Sequence, residues 1–221
     1  VIFSSPLWER VLRHIRKLML IQYVDNKKIN KNFLNFAISL GSQCFLNEYV
    51  YYITDIEEDK LKRLKNSLQN DNNQDYKLAL ISCYQSLYSI SNKSIDLNNY
   101  KSNNKEFNKL LDLQFKEILI EKNISISIPK LGKIADSISK EVKSQYELNP
   151  YPRWRYNSYA KEMKVNLISI INSEINPKTI DPSELKLSDK KSNILIAGCG
   201  TGIQLLEASR YKNCEITAID L

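Results

Sequence analysis

Histidine, cysteine, glycine and long apolar runs are all scarce in this chain, and each scarcity closes off a class of function. The single histidine, His14, stands among arginines with no partner motif, which points to a surface role rather than to catalysis. The four cysteines, Cys44, Cys83, Cys199 and Cys214, lie far apart without CxxC spacing. That argues against zinc and against a secreted disulfide framework, and for a reducing, cytoplasmic setting. No apolar run reaches the ~18 residues that a membrane span needs. The nearest candidate, "FLNFAISLGSQCFLNEYVYYI" over 33–53, is interrupted by Asn35, Gln43, Asn47 and Glu48 and reads as a buried helix. No signal peptide is visible and no internal repeat stands out. Glycine occurs five times in 221 residues, and three of the five fall within residues 198–202.

What is present suits a globular chain of one large or two small domains, since 43% of residues are apolar and can build a core. The net charge of +7 does not mark a nucleic-acid surface, because lysine is spread along the chain together with Asn, Ile and Ser instead of gathering on one face. Lys60, Lys62, Arg63 and Lys65 read as a solvated helix face. The thirteen tyrosines are spread as widely and read as packing or ordinary surface. The chain begins with Val1 rather than Met and stops one residue after Asp220, so it is expected to be an internal portion of a longer protein.

The first half carries helical periodicity. Ser5 before Pro6 is an N-cap with proline at the first helical position, and "LWERVLRHIRKLMLIQYV" follows with apolar residues at helical intervals. Thr54 and Glu57 have capping-box spacing, with Leu61, Leu64 and Leu68 as one stripe; Phe107, Leu110, Leu111 and Ile118 make another. The pattern predicts about five helices between residues 5 and 122, separated by Asn-rich loops. A further helix is predicted over 133–148, ended by Pro150 and Pro152. An amphipathic stretch follows in "AKEMKVNLISIINSEI", and a polar, proline-containing loop precedes residue 192.

"NILIAG" then reads as a parallel strand covered on both faces, "IQLLEASRY" as a helix, and "CEITAIDL" as a second strand ending in an acid. The order strand, glycine loop, helix, strand, acid is one βαβ unit. Asp220 lies 22 residues after Gly198, close to the ~20 expected for an acid that hydrogen-bonds ribose hydroxyls. A nucleoside-containing ligand is implied. A dinucleotide fingerprint would need glycine at 203, where this chain has Ile203; the glycine falls at Gly202 instead. Free backbone N–H groups and the positive end of a helix favour an anion at such a turn.

This G-x-G-x-G form resembles motif I of class I S-adenosylmethionine-dependent methyltransferases. The resemblance implies that Gly198, Cys199, Gly200, Thr201 and Gly202 line the cofactor's amino-acid part and that Asp220 binds its ribose. Many family members carry an acid just before the first glycine, where this chain has Ala197. "QYELNPYPRWRY" and "SQCFLNEYVYYITDIEED" extend the resemblance, from about residue 36 onward, to a bacterial family in which tetratricopeptide repeats and a helical linker precede a methyltransferase domain. The stretch around Tyr151, Arg153 and Trp154 joins two stiffening prolines to aromatic faces and to guanidinium groups able to grip a carboxylate. It is read either as a lid over the cofactor or as an aromatic staple between the helical and α/β parts. Gln43, Asn47 and Glu48 are expected to satisfy nearby loop backbone.

The expected fold is therefore a mainly helical N-terminal region followed by the first βαβ unit of a truncated Rossmann-like methyltransferase domain. Residues 1–125 form a helical linker or recognition domain, 126–190 a helical connection with the NPYPRW motif, and 191–221 the start of the domain that binds S-adenosylmethionine. No metal is called for. Methyl transfer needs alignment and at most a base, so no catalytic residue is assigned. The resemblance places acceptor-side residues at the end of a fourth strand and in later loops, so this portion alone should be inactive and bind cofactor poorly. The methyl acceptor, a protein or a small molecule, stays open, as does a protein partner reached through upstream repeats. The alternatives are a nicotinamide- or flavin-dependent oxidoreductase and a non-enzymatic helical scaffold with a vestigial Rossmann-like part.

Overall fold

The computed structural model describes residues 5–26, 31–68, 73–91, 95–148, 150, 152–154, 164–181 and 191–220. They are mainly helical, with one two-stranded parallel sheet, and the chain divides into two compact units, Val1–Leu131 and Gly132–Leu221.

In the first unit α1 (Pro6–Asn26) starts on its proline, whose missing N–H is no loss in a first turn, and buries Leu12, Met19, Leu20 and Tyr23 along one stripe. α2 (Lys31–Leu46) is shorter than the helix expected over 33–53. Glu48 and Tyr49 both adopt φ of +56°, and their amides fold back onto the carbonyls of Phe45 (3.1 Å) and Cys44 (2.8 Å). Two successive left-handed residues break the helical ladder, so the chain leaves the helix at the QCFLNEYV motif. Asn47 is buried there, and its Oδ1 has no hydrogen-bond partner among the described residues.

α3 (Asp55–Asn66) opens with the full reciprocal capping box of Thr54 and Glu57, and Leu61, Leu64 and the following Leu68 are buried. α4 (Gln74–Ser82) packs against α2 at Gly41, where a Cβ would lie 2.0 Å from the Ser82 hydroxyl, so only glycine permits the approach. α5 (Leu87–Ile90) and α6 (Lys105–Leu111) follow, and α6 runs through a π turn (Asp112–Lys116) into α7 (Glu117–Ser127). The described α-helices up to Ser127 number seven, against about five expected. The π turn adds a residue to the helical repeat, turning Leu113, Gln114 and Phe115 into the core while Ile118 is only half-buried.

Two polar clusters are sealed inside this unit. Gln114, fully buried, donates to the carbonyls of Gly41 (2.8 Å) and Ser82 (3.1 Å) and accepts from the Leu87 amide and the Tyr49 hydroxyl, both at 3.2 Å. Arg16, 1% exposed, donates to the Tyr52 carbonyl (2.7 Å) and to Glu57 (3.2 Å), and lies over the Tyr84 ring, 4.3 Å from its centroid. Tyr84 donates to the same Glu57 oxygen at 3.0 Å. Burial opposes ionisation of Glu57, yet the Thr54 amide and hydroxyl, Arg16 and Tyr84 outweigh it and hold the carboxyl below its usual range.

The second unit contains α8 (Ser137–Leu148), α9 (Leu167–Glu174), β1 (Ser192–Ala197), α10 (Ile203–Ala208) and β2 (Cys214–Ile219). α8 starts four residues later than expected because the Asp136 carboxylate accepts from the amides of Ile138 (3.3 Å) and Ser139 (2.6 Å) and caps the helix there. α9 covers only the second half of its amphipathic stretch, capped by Asn166; Val165 instead forms a parallel bridge with Tyr211. β1 and β2 pair in parallel from Ser192 opposite Cys214 to Ala197 opposite Ile219. The strand expected to be covered on both faces is not: its residues alternate between half-buried and exposed, and Leu195 is 63% exposed. Among the described residues of the chain no helix is long and apolar enough to cross a membrane.

Candidate functional site

The loop between β1 and α10 is built from positive dihedral angles. Gly198, Gly200 and Gly202 have φ of +74°, +50° and +92°. An L side chain in this region costs roughly 1–2 kcal/mol, which is why the motif spends three of the chain's five glycines here. Packing does not demand them: a Cβ on any of the three would meet no atom within 4 Å. The space beside the bare backbone is therefore open to a ligand.

Neighbouring backbone fixes the turn. The amides of Gly198 and Cys199 donate to the Ile219 carbonyl at 2.8 and 3.1 Å, which ties the exit of β1 to the end of β2, and the Gly202 amide donates to the Cys199 carbonyl at 2.9 Å. Gly202 caps α10 in the left-handed conformation, and Ile203 is the first residue of that helix. Asp220 follows β2 directly, and its Oδ2 accepts from the Gly200 amide. Parallel pairing in this register is what carries an acid 20 residues further along the chain back to the middle of the loop.

Comparison with protein-family models, with curated proteins and with solved structures finds no match.

The structure brings together Ala197, Gly198, Cys199, Gly200, Thr201, Gly202 and Asp220. Ala197 is the last, exposed residue of β1, and its side chain offers no polar group to the loop. Trp154 joins the cluster, its indole N–H donating to the Thr201 hydroxyl at 2.8 Å. Arg153 is half-buried beside it in the chain. Tyr151, Arg155 and Tyr156 lie outside the described residues. His14 is exposed on α1 and belongs to the other unit. Among the described residues no group of three or more His, Cys, Asp or Glu side chains is arranged to hold a metal ion.

Sequence reasoning missed two features. It assigned Asp220 to a sugar and not to the loop amide, although an acid at a strand end beside a turn rich in unpaired N–H groups could have signalled the bond. It also missed the Arg16–Glu57–Tyr84 cluster, because an arginine within an amphipathic helix looks like any solvated charge until packing places it.

Proposed function

We propose that this protein is an S-adenosylmethionine-dependent methyltransferase, with β1, the glycine loop, α10 and β2 as the first βαβ unit of a Rossmann-like domain. The observation that carries this reading is the contact between Asp220 and the Gly200 amide. It brings the acid that this reading assigns to the ribose onto the glycine loop, where a Cβ on any of the three glycines would meet no atom within 4 Å. The residues present fit the group: Gly198 to Gly202 would hold the methionyl part and Asp220 the ribose. When bound, the cofactor supplies an electrophilic methyl group on a sulfonium. A dinucleotide fits less well, since the residue that opens α10 is Ile203, where close helix packing over a pyrophosphate calls for glycine. The exposed Leu195, Leu205 and Leu206 are surfaces that an α/β domain covers with neighbouring helices and strands.

The helical first unit is read as the part that recognises the methyl acceptor or a protein partner in the cytoplasm, as in the tetratricopeptide-repeat methyltransferases that the sequence resembles. The acceptor is a protein or a small molecule, and neither a membrane nor nucleic acid is part of the reading. Calorimetric titration of the full-length protein tests the cofactor. S-adenosylhomocysteine should bind and NAD should fail to displace it; binding of NAD alone would overturn the assignment in favour of an oxidoreductase, and binding of neither would favour a scaffold.

A further inference from the structure

Trp154 is joined to the glycine loop by a single directed bond, from its indole N–H to the hydroxyl of Thr201, 47 residues along the chain. A tryptophan that served only packing would be buried; this one is 44% exposed, with its polar handle engaged at the loop. Thr201 stands in the centre of the turn. On one side is Gly200, whose amide bonds to Asp220, and on the other is Gly202, which opens α10. The bond holds the Nε1 edge of the indole at the centre of the turn.

We propose that Trp154 is a wall of the ligand site that recognises the positive charge of the sulfonium, so that the protein discriminates the cationic methyl donor from its neutral thioether product. The inference rests on the cofactor reading above. In S-adenosylmethionine the sulfonium lies between the amino-acid part and the ribose. The residues assigned to those two parts, the glycine loop and Asp220, meet at Gly200, and Thr201 is the next residue. A ring tethered at Thr201 is therefore next to the residue at which those two parts would meet. The π face of an indole attracts a cation and is indifferent to a thioether, so a discrimination of this kind acts on donor binding and product release alike. Trp154 is a recognition residue in this scheme and takes no part in bond making.

The experiment is calorimetric titration of S-adenosylmethionine and S-adenosylhomocysteine into the full-length wild type and the Trp154→Leu, Trp154→Phe and Thr201→Val variants. Trp154→Leu should weaken the donor roughly fivefold more than the product, the range of a partly exposed cation–π contact. Trp154→Phe, which keeps a weaker π face, should lose less. Thr201→Val should shift the ratio in the same direction as Trp154→Leu, because the ring loses its anchor. Equal weakening of both ligands, with the wild type binding both, overturns the role of Trp154 and leaves the cofactor reading in place. Absence of binding of either ligand by the wild type overturns the cofactor reading, and this inference with it. Should Trp154→Leu fail to fold, Thr201→Val, which keeps the side-chain volume, decides by the same ratio.

Discussion

Asp220 shows how one side chain can serve a loop and a ligand together. One carboxylate oxygen holds the Gly200 amide, and a carboxylate has further lone pairs for a sugar hydroxyl. Replacing Asp220 with Ala should therefore weaken S-adenosylhomocysteine by about tenfold to a hundredfold, the scale of a lost charge-assisted bond, with Asp220→Asn intermediate. Calorimetry reads both; unchanged affinity in the Ala variant would remove Asp220 from the site. Gln114 makes the opposite case, a polar residue whose work is wholly structural. Gln114→Leu keeps the volume but leaves two carbonyls, an amide and a hydroxyl without their partner inside the core. A loss of about 3 kcal/mol or more in urea unfolding is expected, with ligand affinity unchanged.

Among the elements, α3 couples a helix start to a buried charge. Thr54 holds Glu57 through both its amide and its hydroxyl, and Glu57 in turn meets Arg16 and Tyr84. Thr54→Ala should cost about 1–2 kcal/mol, at the upper end for an N-cap because the same hydroxyl also serves a buried carboxylate. Its thermal midpoint should fall accordingly. The folded-state pKa of Glu57 lies below its ordinary value of 4.5, so the stability it contributes is present in full above that value. It is lost as pH falls through the depressed folded value. Wild-type stability should thus decline below about pH 4.5, and Glu57→Gln should flatten that decline while lowering stability at neutral pH; urea midpoints across the acid range measure it. The π turn is the element that periodicity could not announce, since an inserted residue is visible only as a change of face between Leu111 and Ile118.

Across the whole molecule, burial is divided unequally. The hydrophobic core lies in the first unit, and among the described residues of the second only Ala208 is a buried hydrophobic residue. The cysteines sample both environments. Cys44 and Cys83 are buried, and burial pushes the Cys44 thiol up to about 12 and Cys83 well above its ordinary value, whereas Cys199 and Cys214 are half-buried. In the native protein at mild alkaline pH, a thiol reagent should label Cys199 and Cys214 first and Cys44 and Cys83 only on unfolding. Four thiols reacting at one common rate would contradict this distribution.

The strand, the three-glycine turn, the following helix and Asp220 were all legible in the residues, because they depend on local chemistry. Apolar β-formers, positions that need a positive φ and helical spacing act within a few residues of each other. The start of α1 on Pro6 and the capping box of α3 were legible for the same reason. Tertiary structure alone decided the rest. It ended α2 at Leu46, turned Gln114 inward, and drove Arg16 against Glu57 and Tyr84, 41 and 68 residues away. It also set Trp154 on Thr201. The Gln114, Arg16 and Trp154 placements result from contacts between segments far apart in the chain, where the free energy comes from what packing brings together and not from the preference of any residue for its own neighbours.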